Sequence, residues 1–423
     1  MTSPSGRGLR VLTFTSLFPN TAQPDFGGFI ARRMEAWAER YGEVWAVVAP
    51  VPFFPRLPWA TRWRIFSEIS DEEQRGPWQV LHPRYPMVPG VGGFFQGDSM
   101  ALGAWKVMER LWREVGPFDL IDAHFVYPDG YAAVKLGRRL GVPVVVSARG
   151  TDVNLYPELG GIGSKVRWTI QHADAYIAVC QALADRMIDL GGAPSKMHVV
   201  PNGVDTERFF PIPREKAREW LGIPTDVFVY LSVGALIERK GHDLLVRAFA
   251  RSEIRHDARL YIAGAGPEED ALRRLAKQEG VDDRVVLLGH VENTALPVWY
   301  SAADCFCLCS SREGWANVIM EALACGTPVV ATKVWGAPEI ITRPEVGVLV
   351  ARSVDSIAAG LATAKGGEWD ASLIRSHVQS RTWDKVAGEV QGVFSSVVES
   401  GRTRRRGYAC PDDVQSMFRD QRS

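Results

Sequence analysis

The 423-residue chain reads as an α/β protein of two doubly wound parallel-sheet domains in tandem, facing each other across a cleft. Three observations predict this. Short β-branched apolar runs recur, each bounded by turn residues and most separated by amphipathic, helix-forming segments. Strands buried on both faces of a parallel sheet have that signature. The rhythm breaks once, at a proline-containing stretch, and then restarts. The length is also too great for one ordinary hydrophobic core.

The first set of runs comprises Leu9 to Pro19, Val44 to Pro50, Phe118 to His124, Val142 to Ala148, Ala175 to Cys180 and Met197 to Asn202. The break is DTERFFPIPREK, where Pro211 and Pro213 interrupt any strand or helix period. The second set is Val227 to Gly234, Ala258 to Gly266, Arg284 to Val291, Ala303 to Cys309, Thr327 to Thr332 and Val346 to Val350. A helix is expected from Trp383 to about Glu399, with Val386, Val390, Phe394 and Val397 along one side. The expected division is therefore residues 1–208, residues 209–381, a helix over 382–400 that returns to the first domain, and a poorly ordered tail over 401–423. Ligands of open α/β sheets bind beyond the carboxyl ends of the strands, so the chemistry belongs in the loops that follow them.

Composition narrows the function classes. Lysine plus arginine (49) equals aspartate plus glutamate (49), so no overall field favours nucleic acid. No run of eighteen apolar residues is present, and the apolar stretch after the first residues is only a strand long. The expectation is a cytoplasmic protein, with peripheral contact at the inner face of the cell membrane left open. Among six cysteines, Cys305, Cys307 and Cys309 alternate on one strand face. Without a fourth ligand or CxxC pairs they read as small buried hydrophobes, and no metal site is expected.

The richest segment is SSREGWANVIMEALACGTPVVAT, after the strand at Cys305 to Cys309. Ser310 to Ala316 reads as a loop and Asn317 to Ala324 as a helix that Gly326 and Pro328 end. Unpaired N–H groups at Ala316, Asn317 and Val318 would then point into the cleft, a setting suited to a diphosphate. Glu313, on the loop, could stabilise positive charge on a sugar, and Glu321, on the helix, could accept from ribose hydroxyls. Spacing alone does not carry this, since two glutamates eight residues apart more often mark solvated surface.

With its surroundings, the segment closely resembles the EX7E motif of glycosyltransferase family four, from Ser310 through WGAPEII at Trp335 to Ile341. The resemblance implies the GT-B fold of two Rossmann-like domains and retaining, metal-independent hexosyl transfer from a nucleotide sugar to a glycan or lipid-linked acceptor. It also implies catalytic roles for His124, in IDAHFVYPDG, and Glu313. For donor binding it implies Gly28, Arg149, Gly234, Arg239, Lys240, Gly314, Trp315, Ala316, Asn317, Val318 and Glu321, with His290 and Val291 of LLGHV beside the base. Gly27 and Asp152 fall on the acceptor side, and Arg149 and Asp152 of SARGTDVN are expected to face the cleft. Asn202 and Gly203 of VVPNGVD are expected as turn formers. No cofactor is expected, the nucleotide sugar being a substrate.

Two positions depart from the family pattern. The turn VGAL carries Ala235 where an arginine is usual, which leaves Lys240 as the main cation for the diphosphate, with Arg239 or Arg149 as substitutes. HGxD becomes RGTD. These features, with GWAN, resemble a subgroup acting in bacterial polysaccharide or teichuronic-acid synthesis. The rival readings are a sugar-nucleotide epimerase or phosphorylase on the same fold, and an inactive nucleotide-sugar-binding subunit. A dinucleotide oxidoreductase would need a third glycine after GAGPEE. The aromatic and basic stretches Phe53 to Phe66 and Gly92 to Trp112 could rest on a membrane or pack internally.

Overall fold

The computed structural model describes residues 8–53, 64–87, 92–114, 116–251 and 253–407. Residues 54–63, including Trp59 and Trp63 of the first aromatic stretch, and 408–423 of the tail lie outside that set.

The first sheet has eight strands in the order β10-β9-β8-β7-β1-β2-β5-β4. They are β1 (Leu9–Phe14), β2 (Gly42–Val48), β4 (Glu72–Arg75), β5 (Trp78–Leu81), β7 (Leu120–His124), β8 (Val144–Ala148), β9 (Ala175–Ala178) and β10 (Met197–Val199). A small separate pair joins β3 (Val51–Phe53) to β6 (Arg84–Pro86). The second sheet runs β13-β12-β11-β14-β15-β16, with β11 (Phe228–Val233), β12 (Ala258–Ala263), β13 (Val285–Gly289), β14 (Cys305–Leu308), β15 (Val329–Thr332) and β16 (Gly347–Val350). Every pairing is parallel except β4 with β5. The twelve anticipated strands all form, eleven with shorter bounds and β2 shifted two residues earlier. Strands β3 to β6 were not anticipated, because polar residues such as Glu72, Gln74 and Gln79 break the apolar run at a sheet edge.

In each sheet the strand order reverses at one place, between β1 and β7 in the first and between β11 and β14 in the second. A crevice opens at such a point, because consecutive connections leave in opposite directions. The ends of these four strands and the segments that follow them carry the sequence-predicted residues Gly27, Gly28, His124, Gly234, Lys240 and Glu313.

Among the helices, α1 (Gly28–Tyr41) follows β1, α2 (Gln181–Asp189) follows β9, α3 (His242–Arg251) follows β11 and α4 (Asn317–Ala324) follows β14. The last, α5 (Trp383–Gly407), crosses back to the first domain. Its Val386, Val390, Val393, Phe394 and Val397 bury against Ile30, Met34 and Trp37 of α1. The Trp37 indole N–H donates to Gln391 Oε1 at 2.9 Å. The helix runs past Glu399, so residues 401–407 are helical where a poorly ordered tail was expected. Cys305, Cys307 and Cys309 are buried and free in the core of the second domain. No helix among the described residues is long and apolar enough to cross a membrane.

Candidate active site

The glycine turn after β11 and the loop after β14 meet at Glu313. Lys240 Nζ donates to Glu313 Oε1 at 2.6 Å, and the Ser310 hydroxyl donates to the same oxygen at 2.7 Å. Arg239 Nη1 lies 3.5 Å away while donating to the Arg312 carbonyl at 2.7 Å. Burial by itself would lift the Glu313 carboxyl, but Lys240, Arg239 and these hydrogen bonds outweigh it and hold the pKa below the ordinary value. Glu313 is therefore an anion fixed in a nearly closed setting. The Lys240 stem passes close against Gly234. Ala235 is exposed, so the turn offers no cation of its own there.

Glu313 is followed by Gly314, Trp315 and Ala316, and then by α4. Gly314 is where the domains touch: a β-carbon there would lie 2.0 Å from the Arg149 carbonyl oxygen, so only glycine fits. Trp315 packs against the cores of both domains, and its buried indole N–H has no partner. Ala316 provides no side-chain cap for α4, which leaves the first N–H groups, those of Asn317 and Val318, without an intrahelical acceptor. Glu321, one turn on, accepts from the buried Tyr300 hydroxyl at 2.9 Å, and burial raises its pKa to about 6. An interdomain cleft of about 360 Å³ collects Gly28, Phe29, Arg32, Arg208, Asn317 and Glu321.

On the first domain, two expectations need correction. His124 is not at the cleft edge; it is fully buried at the end of β7 with both ring nitrogens engaged. Nδ1 meets Arg149 Nη2 at 2.5 Å, and Nε2 lies 3.1 Å from Asp122 Oδ2 and 3.0 Å from Arg33 Nη2. Asp152 does not face the cleft. Its carboxylate turns inward to accept from the N–H groups of Val126, Arg149 and Gly150 at 2.7, 3.1 and 2.8 Å, so it shapes its own loop. Gly27 takes φ 70°, and the Leu17 carbonyl oxygen lies 2.2 Å from where a β-carbon would be, so only glycine fits that turn. Arg149 reaches the interface: Nη1 donates to Asn202 Oδ1 at 3.1 Å, and Asn202 Nδ2 donates to Asn317 Oδ1 at 3.1 Å. Asn202 is thus a bridge between domains as well as a turn former.

His290 is exposed, 3.2 Å from Glu292, and Val291 packs on the edge of the second core; neither joins the cleft that holds Glu321, although Asn293 of the same loop does. Asp25, His290 and Glu292 bring possible ligand atoms within 4.8 Å of one another, on the exposed surface. Sequence reasoning missed Arg33, Ser310 and Tyr300. Of these only Ser310 carried a signal, its place three residues before Glu313.

Known proteins match this arrangement. Residues 64–208 match the family described as Glycosyltransferase Family 4, and residues 213–369 match Glycosyl transferases group 1. The chain is 28% identical over 359 residues to a putative teichuronic acid biosynthesis glycosyltransferase, TuaC, of Bacillus subtilis (strain 168), covering 84% of this chain and 88% of that one. It is 31% identical over 376 residues to D-inositol 3-phosphate glycosyltransferase 2 of Catenulispora acidiphila, covering 78% and 86%. The fold is that of sucrose-phosphate synthase from Thermosynechococcus elongatus, with a TM-score of 0.69, 19% identity and coverage of 95% and 100%. HepE of Anabaena, solved in complex with UDP, superposes with a TM-score of 0.68 at 20% identity, covering 92% and 100%. Two parallel sheets meeting at a glutamate-bearing loop and a bare helix N-terminus are thus the frame of a known enzyme class: the chain belongs to glycosyltransferase family four and transfers a sugar from a nucleotide-sugar donor to an acceptor.

Proposed function

We propose that the enzyme is a retaining, metal-independent hexosyltransferase using a UDP-sugar, with a glycan or lipid-linked acceptor, in bacterial polysaccharide synthesis. The observation that carries this is the Lys240–Glu313 pair beside the uncapped start of α4. In this reading the diphosphate lies between Lys240, Arg239 and Arg149 on one side and the N–H groups of Gly314 to Val318 on the other, with Gly234 and Gly28 letting the backbone come close. These fixed positive groups do the work a divalent cation does elsewhere. Glu321 accepts from the ribose hydroxyls, and the backbone at His290 and Val291 borders the base. The complexes of HepE with UDP and with UDP-glucose support a uridine nucleotide by analogy of fold. Residues 1–208 are then the acceptor-side domain and residues 209–381 the donor domain.

The bond between the anomeric carbon and the diphosphate oxygen breaks with its electron pair going to the diphosphate. The leaving oxygen takes the acceptor hydroxyl proton, and the new C–O bond forms on the same face. Glu313, held anionic, orients the sugar and stabilises the charge at the anomeric carbon. Glu313→Gln is expected to cut transfer about 100-fold or more while changing UDP affinity less than about threefold, a division typical of groups acting in the transition state. Equal losses in calorimetric UDP binding and in turnover count against this assignment. Incubation with UDP-glucose, UDP-N-acetylglucosamine and GDP-mannose separates the rivals: isomerisation, or phosphate-dependent cleavage without an acceptor, indicates an epimerase or phosphorylase. Binding without turnover with any acceptor indicates an inactive subunit.

A membrane contact through the first domain is part of the proposal. Phe94, Phe95 and Leu102 stand exposed at 40%, 61% and 74%, near the start of the second aromatic stretch. Such a surface would hold the enzyme at the inner face of the membrane, beside a lipid-linked acceptor.

A further inference from the structure

His124 has a constraint that hydrogen counting makes plain. Arg149 and Arg33 carry only donors, and each sets a guanidinium nitrogen beside a different ring nitrogen of His124. A neutral imidazole has one lone pair to offer. The arrangement closes in one form: Nδ1 accepts from Arg149, Nε2–H donates to Asp122 Oδ2, and Arg33 Nη2 gives its hydrogen to that carboxylate instead of to the ring. An imidazolium would set N–H against N–H at Arg149. The three charged groups facing the ring are Asp122 from β7, Arg33 from α1 and Arg149 from the loop after β8. Arg33 is itself anchored on the Ser147 hydroxyl at 3.0 Å and on Asp122. Arg149, by contrast, meets no carboxylate through its guanidinium. Its partners are the neutral His124 and Asn202, its Nε is buried without a partner, and its Cζ lies 5.2 Å from the Phe29 ring at the cleft. A buried cation that makes no direct ion pair with its nearest carboxylates, Asp122 and Asp152, is costly in the empty protein. It sits one amide away from the free N-terminus of α4.

We infer that His124 is a positioning residue: with Arg33 and Asp122 behind it and Asn202 beside it, it aims the Arg149 guanidinium at the donor diphosphate. Arg149 thereby supplies, from the opposite domain, the charge that Ala235 leaves out of the turn after β11. The inference rests on the diphosphate site proposed above. It removes His124 from acid–base duty, because neither of its nitrogens is available to a substrate. Burial first, and then the two arginines, push its pKa down to about 3, with Asp122 opposing, so it stays neutral over the working range.

The test is calorimetric, with UDP, inorganic pyrophosphate and uridine as probes. Arg149→Ala is expected to weaken UDP and pyrophosphate about 10- to 100-fold, the range for losing a charge-assisted contact, and to leave uridine within about twofold. Guanidinium ion added at millimolar levels restores part of that loss. His124→Ala weakens the same two ligands, and the His124→Ala/Arg149→Ala double variant is no weaker than Arg149→Ala alone, as expected when one residue acts through the other. His124→Asn, whose amide oxygen still accepts from Arg149, recovers most of the affinity. Its hydrolysis of UDP-glucose keeps the wild-type pH profile, where loss of a general acid or base costs about 100- to 10,000-fold and removes a limb. Additive losses, no recovery in folded His124→Asn, or a missing pH limb overturn the inference. So does an unchanged pyrophosphate affinity in Arg149→Ala or, where that variant does not fold, in Arg149→Gln, which keeps a polar group beside His124 and Asn202 without the charge. Pyrophosphate binding without UDP binding removes the uridine assignment and leaves the relay standing; loss of UDP binding on Lys240→Ala but not on Arg149→Ala leaves the donor site standing and removes the relay.

Discussion

Burial lifts the Glu321 carboxyl to about 6 from its ordinary 4.5, while the Tyr300 hydroxyl and the charges of Arg208 and Arg32 hold it from rising further. In that window the folded state binds the proton more tightly than the unfolded chain, so the stability this group contributes falls as pH rises from about 4.5 to 6. Above the window its ionised form costs about 1–2 kcal/mol. Glu321→Gln keeps the shape and an acceptor for Tyr300 but not the charge. It is expected to stabilise the protein at pH 7.5, with the gain disappearing near pH 4.5, as read from urea midpoints at the two pH values. It should also weaken UDP binding about tenfold, because a neutral amide is a poorer acceptor for ribose hydroxyls. A variant that binds UDP as well as wild type removes Glu321 from the donor site. The glutamates themselves were readable from strand, loop and helix signals, whereas the Lys240 contact to Glu313 and the Tyr300 contact to Glu321 join positions 73 and 21 apart. No local pattern in the chain encodes such pairs.

The elements divide between those that announce themselves and those that borrow their stability. Strands such as β1 and β7, buried along their whole length, are mostly apolar and are plain in sequence, and their few polar residues are buried with them. Strands β4 and β5 at the sheet edge need apolar residues on one face at most, and so hide. Helix α5 shows its stripe, but its role comes from its partner α1, with the Phe394 ring edge-on to Trp37 at 5.5 Å between centroids. Phe394→Ala removes a fully buried ring and should cost about 3–5 kcal/mol in urea unfolding of the full chain. It should perturb the first domain, monitored by near-ultraviolet circular dichroism, while UDP binding, proposed above for the second domain, persists. A loss below about 1 kcal/mol would mean that α5 is loosely docked.

At the scale of the molecule, a few polar ties hold the domains in register. Asn293 Nδ2 donates to Asp25 Oδ1 at 2.7 Å across the mouth of the cleft. Glu339 of the second domain accepts from the N–H groups of Gln181 and Ala182, at 2.8 and 3.0 Å, and so caps α2 of the first. Cys180, which precedes α2, gives it no cap of its own. A helix cap is worth about 1 kcal/mol, enough to shift a closed-to-open ratio roughly fivefold. Glu339→Ala is expected to enlarge the radius of gyration of the nucleotide-free protein in small-angle scattering, with UDP restoring the wild-type value. Identical scattering of both proteins without UDP would show that the cap plays no part in closure.

The sequence by itself determined the α/β class, the two-sheet plan, the strands that carry the site and the two glutamates, because periodicity and turn chemistry are local and EX7E is a contiguous motif. Tertiary structure decided which of the remaining residues reach the cleft. His124 and Asp152 follow strands where cleft-facing groups belong, yet each is turned inward by contacts that include residues far away in the chain, Arg33 and Arg149 for His124 and Val126 for Asp152. Arg149 and Asn202 come to the interface for the same reason. Side-chain direction at a loop is set by whichever long-range hydrogen bonds and close contacts can be satisfied there, and those exist only once the chain has folded.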